Sequence, residues 1–276
     1  MWRGLFVYQR LIKRKGKDMG KLKLQFLGTC ACDFSPKLEN EFKHCFDKDA
    51  RRSSALLVND SILIDCGIHT IESLDILKIP YDQITDIFIT HTHDDHYIPK
   101  NIEKIVKNRH SPVRLWIREG TKVPEIDNLE VLRMELLTKY SKHGITVTGL
   151  PANHNARTFP QHFLLELGEK KLYYACDGGW IMCDALNYLR GSNLDAMVID
   201  ATMGDCEGDY RVGEHNSIPM IRHMLPSLKT NKIVSDETRV FLSHIAPSLH
   251  KSHSETVEIA KTFGAEVAYD GLLTEV

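Results

Sequence analysis

The sequence is defined first by what it lacks. Its 276 residues include 35 basic and 37 acidic side chains, so there is no excess of positive charge to bind nucleic acid along its surface. No apolar run approaches the roughly 18 to 20 residues that a membrane span requires. No linker rich in proline, glycine and serine divides the chain. We therefore expect a single domain with no membrane partner, and we do not expect nucleic acid as a partner.

Cysteines are few and scattered. The seven cysteines are an odd number spread along a long chain, which argues against a disulfide framework. Free cysteines are typical of a reducing compartment, so we expect a cytoplasmic protein. Hydrophobic residues make up 42% and charged residues 26% of the chain, which are the proportions of a globular protein with a substantial core.

The N-terminal segment differs from the rest of the sequence. Residues 1–18 are basic and lack the continuous apolar core of a signal peptide. The apolar alternation of a first strand begins only after Met19, at residues 21–28. We expect residues 1–18 to be a disordered or misassigned extension and residues 19–276 to form the domain. A surface-binding arm is the alternative for the extension.

The strongest functional signal is the sequence HTHDDH at residues 91–96. It follows a β-branched and aromatic run that is predicted to be a buried strand. A turn after that strand would place His91 and His93 on one side, and Asp95 and His96 around a second point. Imidazole suits zinc, iron, nickel or copper, and carboxylate adds affinity for harder cations such as manganese. The motif predicts a metal site, and a solvated histidine-rich turn is the alternative.

Three further candidate ligands follow predicted strands elsewhere in the chain. They are His154, Asp177 and His244, and Asp177 precedes two glycines that allow a tight turn. Together with the motif they suffice for two metals, and Asp177 is placed to bridge them. The predicted ligands are His91, His93 and His154 for one metal, and Asp95, His96 and His244 for the other.

Both halves of the domain alternate predicted strands with predicted helices. In the second half, helices are predicted over residues 217–224 and 253–263, and Ser252 with Glu255 forms a capping box for the latter. Residues 119–144 give no clear pattern. Two strand-rich halves, each followed by helices, predict an α+β fold with four layers in the order αββα.

The order of the candidate ligands resembles that of the metallo-β-lactamase superfamily, and the resemblance extends from Met19 to the C-terminus. The H-x-H-x-D-H pattern is the most specific signature of that superfamily. The resemblance implies that Asp65, at the end of an early strand, orients the metal ligands. An aspartate at position 177, where the lactamases have cysteine, is typical of the phosphodiesterase and thioesterase branches.

Within the superfamily the chain most resembles the phosphoribosyl 1,2-cyclic phosphate phosphodiesterases, and it resembles ribonuclease Z more distantly. The segments that carry this resemblance are residues 27–29, 150–154, 158–159, 197–202, 213–217, 244–245, 264–267 and 270–271. The resemblance implies that His215 assists at the phosphate, that Asp200 orients His215, and that Asp95 completes the catalytic set. A helix-capping or solvated His215 is the alternative.

Two departures limit the resemblance. The cyclic phosphodiesterases hold a structural zinc with clustered cysteines and with a histidine whose position is occupied here by Pro247. Cys30, Cys32 and Cys45 lack the compact spacing, although a zinc site at these cysteines stays open. The segment over residues 155–176 leaves room for a hairpin but not for the long tRNA-gripping arm of ribonuclease Z.

These observations lead to the hypothesis of a binuclear metal-dependent hydrolase. A hydroxide activated by two divalent cations, zinc or manganese with iron as a further candidate, would attack a small cyclic or nucleotide-like phosphodiester. Arg51, Arg52 and Arg157 are candidates for binding the phosphate. A thioesterase or lactonase, a tRNA 3′-processing-like endonuclease and a non-catalytic di-iron protein are the alternatives. A homodimer is a further expectation, since dimers are the commonest soluble assemblies.

Overall fold

Two β-sheets form the centre of the computed structural model, which describes residues 20–276. The strands in chain order are β1 Lys23–Gly28, β2 Ala55–Val58, β3 Ile62–Ile64, β4 Asp86–Phe88, β5 Val113–Arg118, β6 Leu129–Met134, β7 Lys139–Lys142, β8 Ile145–Pro151, β9 Gln161–Leu167, β10 Lys170–Ala175, β11 Ala196–Asp200, β12 Arg239–Ser243, β13 Ala265–Val267 and β14 Leu273–Glu275. The α-helices in chain order are α1 Lys37–Asn40, α2 Thr70–Ile76, α3 Pro99–Val106, α4 Cys183–Leu189, α5 Ile218–Thr230 and α6 His253–Lys261. The extension predicted over residues 1–18 and the domain start predicted at Met19 lie outside the described residues.

Each sheet has seven strands. Their orders are β14-β1-β2-β3-β4-β5-β6 and β13-β12-β11-β10-β9-β8-β7. In the first sheet β3, β4, β5 and β6 run parallel, and in the second β10, β11, β12 and β13 do so. Parallel strands bring their carboxyl ends to one edge of a sheet, where ligands commonly bind in such folds. The loops that follow β3, β4, β10 and β12 carry most of the candidate site residues.

Apolar side chains on both faces of the sheets explain the layers. One buried core lies between the sheets, where Phe88 stacks on Trp116 with ring centroids 5.3 Å apart and Phe163 packs edge-on against Phe88. A second core packs helices α2 and α3 against the first sheet, and a third packs α4, α5 and α6 against the second. The predicted four-layer αββα arrangement is confirmed. None of the helices in residues 20–276 combines the length and apolar character needed to cross a membrane.

One helix is longer than its sequence predicts. The predicted helix ends at residue 224, whereas α5 spans Ile218–Thr230 and contains Pro226. Proline has no amide donor and usually ends or kinks a helix. Here Leu225 and Leu228, on either side of the proline, are buried against the second sheet. Packing of these side chains therefore maintains the helix beyond the proline.

Three of the four edge strands, β6, β7 and β14, are not indicated by the sequence pattern. Residues 119–144 contain β6 and β7, whose side chains are mostly half-buried or exposed. The C-terminal strand β14 pairs with β1, and its side chains are likewise not buried. An edge strand has little buried surface and depends on a partner distant in sequence. Its residues therefore show little of the alternation that marks a central strand.

The segment over residues 155–176 forms a short 3₁₀ turn and the hairpin of β9 and β10. This agrees with the expectation that it leaves room for a hairpin only. The capping box predicted for α6 is also present, since the Ser252 hydroxyl accepts from the backbone of Glu255 and the Glu255 carboxylate accepts from Ser252.

Gly67 allows two loops that carry site residues to meet. It lies in the turn after β3, and a β-carbon placed on it would stand 1.8 Å from the backbone oxygen of Asp95. On either side, the Cys66 N–H donates to the carbonyl of His96 over 2.8 Å and the Ile68 N–H donates to the carbonyl of residue 94 over 3.1 Å. The turn after β3 is thus packed directly against the 91–96 motif.

Gly67→Ala is therefore expected to lower the free energy of unfolding by about 2 kcal/mol or more, because the backbone itself must move to admit a methyl group. Urea unfolding followed by circular dichroism measures this change. Gly20→Ala is the matched control, since a β-carbon there meets nothing within 4 Å. Equal unfolding free energies for the two variants would contradict the close contact at Gly67.

Candidate metal centre

The candidate site is built where strands of both sheets end. Asp65 directly follows β3, Asp177 lies two residues beyond β10, and His244 directly follows β12. All three residues have a positive φ, of 64°, 62° and 55°. Residues other than glycine seldom adopt this conformation, which costs on the order of 1–3 kcal/mol each. The surrounding contacts must therefore hold the backbone in place at the points where these side chains are presented.

The first cluster contains three histidines from two loops. Nε2 of His91 lies 2.9 Å from Nδ1 of His93, and Nε2 of His154 lies 3.1 Å from the same atom. Nitrogens bound at about 2.0–2.1 Å to one tetrahedral zinc ion are about 3.3 Å apart. The three rings thus have nearly the spacing of ligands around a single cation.

The second cluster lies beside the first. Nε2 of His96 lies 3.2 Å from Nε2 of His244 and 3.2 Å from Oδ2 of Asp95. Oδ2 of Asp95 is 3.7 Å from Nε2 of His244. All three side chains are buried. Two imidazoles and a carboxylate again converge at distances that one divalent cation can span.

Asp177 joins the two clusters. Its Oδ2 lies 3.2 Å from Nε2 of His91, and 3.5 Å from Nε2 of both His96 and His244. Its Oδ1 lies 3.2 Å from Nδ1 of His215 and 3.4 Å from Nδ1 of His154, although neither contact has the geometry of a good hydrogen bond. A buried carboxylate costs several kcal/mol unless positive charge lies beside it. The donor set and the convergence of ring nitrogens on this carboxylate fit two cations that share Asp177.

Asp65 fixes the ring of His96 at the nitrogen that faces away from the second cluster. Its Oδ2 lies 2.8 Å from Nδ1 of His96, and its Oδ1 accepts from the backbone N–H and the hydroxyl of Thr90 at 2.8 and 2.9 Å. This leaves Nε2 of His96 to face the second cluster. The contact is the one that the resemblance implies for Asp65, whereas the role of Thr90 is visible only in the structure.

Asp200 and Thr202 orient two further rings. Oδ2 of Asp200 lies 3.1 Å from Nδ1 of His244 and 3.0 Å from Nδ1 of His215. The Thr202 hydroxyl lies 2.9 Å from Oδ2 of Asp200 and 2.9 Å from Nδ1 of His244. The structure thus brings Asp200 and His215 to the centre, as expected. Thr202 belongs to the segment 197–202 that carries the family resemblance, but its contacts with Asp200 and His244 are visible only in the structure.

Hydrogen bonds that the sequence does not predict hold the turn that carries Asp177. Burial lowers the pKa of His162 to about 4, so this ring is neutral and its Nε2 donates to the carbonyl of Asp177 over 3.3 Å. The Tyr173 hydroxyl then donates to Nδ1 of His162 over 3.0 Å. The side-chain amide of Asn216 donates to the carbonyl of Gly178 over 2.9 Å. A lone histidine within a strand gives no sequence signal for such a role.

Burial sets the protonation of the first cluster. It lowers the pKa of His91, and it lowers the pKa of His154 to about 4 despite the nearby carboxylate of Asp177. Both rings are therefore uncharged at neutral pH. Neutral imidazole is the form that binds a metal ion.

On the other side of the centre, nearby carboxylates raise the pKa values of the histidines instead of leaving them lowered. Burial disfavours charge on His244 and His215, but the carboxylates of Asp177 and Asp200 outweigh it and raise the two pKa values to about 9 and about 11. Burial likewise disfavours charge on the two carboxyl groups, but the neighbouring imidazoles hold the pKa of each well below its usual range. The carboxylates are thus balanced by histidine protons, which cations bound at the histidine ligands would displace.

The structure does not assemble the structural zinc site that stayed open at the cysteines. Within residues 20–276, every group of side chains that could hold a metal contains Asp177, and none contains a cysteine. Cys30 is buried, whereas Cys32 and Cys45 are exposed.

Two of the arginines considered for phosphate binding serve the fold instead. Arg52 donates to Glu72 at 2.7 Å and to two backbone carbonyls, and Arg51 donates to the carbonyl of Ala268 at 2.6 Å. Both side chains are buried and already paired within the fold, so the structure does not support the expectation that they bind the phosphate. Arg157 lies exposed on the 3₁₀ turn that follows His154.

Comparison with known proteins gives one relative over most of the chain. A protein of Bacillus phage 010DV004, described as anti-Pycsar protein Apyc1, is 24% identical over 246 residues, and the match covers 74% of this chain and 86% of that protein. The family model described as anti-Pycsar protein Apyc1 matches residues 43–111, which contain the 91–96 motif.

Solved structures resemble the chain over nearly its whole length. YhfI from Bacillus subtilis, described as a metallo-β-lactamase fold protein, has a TM-score of 0.72 at 14% identity and covers 93% of this chain and 99% of its own. A diphosphatase of the PhnP family has a TM-score of 0.70 at 19% identity, over 92% of this chain and 98% of its own. Together with the two-sheet sandwich and the histidine motif, these likenesses show that the chain has the metallo-β-lactamase fold.

Proposed function

We propose that the chain is a binuclear metal-dependent phosphodiesterase that acts on a small phosphodiester. The observation that carries this proposal is the position of Asp177, whose Oδ2 lies within 3.5 Å of ring nitrogens from both clusters. One set offers three nitrogens and one oxygen and the other two nitrogens and two oxygens. Mixed nitrogen–oxygen sets of this kind suit zinc or manganese, and iron is a further candidate. The proposed ligands are His91, His93, His154 and Asp177 for one cation, and Asp95, His96, His244 and Asp177 for the other.

The chemistry of the site divides between the cations and the chain. When bound, two divalent cations supply Lewis acidity, which acidifies water and withdraws charge from phosphoryl oxygens. The chain supplies orientation: Asp65 holds His96, and Asp200 holds His244, each through Nδ1. Each Nε2 is thereby left to face the centre, and ligands fixed in this way keep their geometry as charge develops on the substrate.

His215 is proposed as the proton donor to the leaving group. Its Nδ1 is bound to the fully buried carboxylate of Asp200 at 3.0 Å, while its side chain is 16% exposed. Asp200 thus fixes the ring and stabilises its protonated form, and Nε2 is left for the substrate. As the bond from phosphorus to the leaving oxygen breaks, a proton held on His215 can pass to that oxygen.

A phosphodiester is favoured over a thioester because of this proton donor. An alkoxide leaving group is strongly basic and needs a proton, whereas a thiolate, with a thiol pKa of about 8.5 in the case of cysteine, leaves readily without one. The likeness to a diphosphatase supports the same chemistry. The hairpin-sized segment over residues 155–176 supports a small substrate, since it offers no arm to grip an RNA.

Asp177→Ala is expected to reduce the bound zinc or manganese from two ions per chain to one or fewer, because both clusters lose the oxygen that they share. Elemental analysis of the dialysed protein measures the ions. Asp94→Ala is the matched control: this aspartate is exposed, lies within the motif and belongs to neither cluster. Two ions retained by Asp177→Ala would rule out the bridging role.

His215→Ala is expected to lower kcat by about 10²–10⁴-fold on a cyclic nucleotide, whose leaving group is an alkoxide. The loss should be much smaller on bis-p-nitrophenyl phosphate, whose leaving group needs little help from a proton. Steady-state kinetics on both diesters, and on a thioester, measure these effects.

His110→Ala serves as the control, since it removes an exposed histidine that belongs to no group able to hold a metal. Because His215 is not one of the proposed ligands, metal content should stay at two ions in both variants. Equal losses on the two diesters would assign His215 to binding rather than to proton transfer. Faster hydrolysis of the thioester than of either diester by the unmodified protein would contradict the proposed substrate class.

A further inference from the structure

A mostly apolar cavity lies beside the candidate centre, and the proposed mechanism does not use it. Its volume is about 270 Å³, and its walls include Trp180, Met203, Val212 and Met220. Trp180 and Val212 are 40% and 41% exposed, whereas the two methionines are buried. The cavity therefore has a sulfur-rich floor and an open rim. Its volume is close to the lower end, about 300 Å³, of pockets that hold small molecules.

The backbone joins this cavity to the centre. The Trp180 N–H donates to the side-chain oxygen of Asn216, the residue after His215, over 2.9 Å. A β-carbon on Gly179 would lie 3.1 Å from both the amide nitrogen of His215 and the carbonyl oxygen of Val212. Trp180 and Val212 thus flank the backbone of His215. The cavity therefore adjoins the segment of chain that carries His215.

The charges around the cavity determine which part of a substrate can bind in it. Two carboxylates, Glu207 and Asp209, stand among the residues that line it, and Asp209 is paired with Arg211 at 2.7 Å. Carboxylates repel a phosphate, and among the residues that line the cavity only His223 could carry a positive charge. The cavity therefore suits an uncharged group, and one with N–H donors at its edge can be recognised by Glu207.

We propose that this cavity binds the nucleobase of a nucleotide-type phosphodiester, an inference that rests on the proposed phosphodiesterase function. A base is flat and uncharged, and it carries N–H donors at its edge. The partly exposed indole of Trp180 provides a face for stacking. The thioether sulfurs of Met203 and Met220 also make favourable contacts with aromatic rings.

The test compares two ligands that differ only in the base. Binding of adenosine 5′-monophosphate and of ribose 5-phosphate to the zinc-loaded, full-length chain is measured by isothermal titration calorimetry. The unmodified protein is expected to bind the nucleotide at least about tenfold more tightly, the effect of stacking one base. Trp180→Ala should remove that difference and leave the affinity for ribose 5-phosphate unchanged.

Three variants distinguish a loss of base recognition from a general disruption of the fold. Trp180→Phe keeps an aromatic face and should retain most of the preference, whereas Val212→Asp adds a charge at the rim and should abolish it. Tyr210→Ala is the matched control, since Tyr210 is an aromatic residue of the 3₁₀ turn that contains Val212, is 87% exposed and does not line the cavity. It should keep the full preference. Zinc content confirms that each variant retains the centre.

The inference is overturned if the unmodified protein binds both ligands equally or binds neither. It is also overturned if Trp180→Ala or Val212→Asp keeps the preference, or if Tyr210→Ala loses it. Hydrolysis of bis-p-nitrophenyl phosphate by the same preparations reports on the proposed function separately. Hydrolysis without base preference contradicts the cavity inference alone, whereas an absence of hydrolysis contradicts the proposed function.

Discussion

The buried carboxylate of Asp177 is the interaction on which the rest of the site depends. It is 4% exposed and lies among ring nitrogens from both histidine clusters, with one oxygen lacking a well-formed hydrogen bond. A charge held in this way is stable only when positive charge surrounds it. Protonated histidines can supply that charge, but two divalent cations supply it with ligands that already stand at suitable distances. This requirement is the physical basis of the proposed binuclear centre.

The fold positions this carboxylate at the end of a regular strand, where the backbone adopts a strained conformation. Parallel strands in both sheets deliver Asp65, Asp177 and His244 to the same crevice, and each has a positive φ there. Strain at such points persists only when neighbouring contacts fix it. Hydrogen bonds to Asp65 from Thr90, and to the carbonyl of Asp177 from His162, are contacts of that kind. These contacts hold the site residues in place, whereas Trp180 is partly exposed and lines the adjoining cavity.

Much of this arrangement could be predicted from the sequence, because its main signals are local. The 91–96 motif directly follows a strand, and apolar alternation marks the central strands and hence the four layers. The supports of the site could not be predicted, since Thr202 and His162 act through contacts formed only on folding. The edge strands β6, β7 and β14 and the continuation of α5 past Pro226 could not be predicted for the same reason. Packing against residues distant in sequence overrides the local pattern there. The position of Trp180 beside the backbone of His215 could not be predicted either, because it also depends on contacts formed on folding.

The most direct test of the account is a crystal structure of the protein grown with zinc or manganese, with anomalous diffraction recorded at the edge of that metal. The account predicts two anomalous peaks per chain, separated by about 3.5–4 Å, with one oxygen of Asp177 between them. One peak should lie among His91, His93 and His154, and the other within the second cluster. A single peak, or two peaks that do not share Asp177, would contradict the binuclear centre.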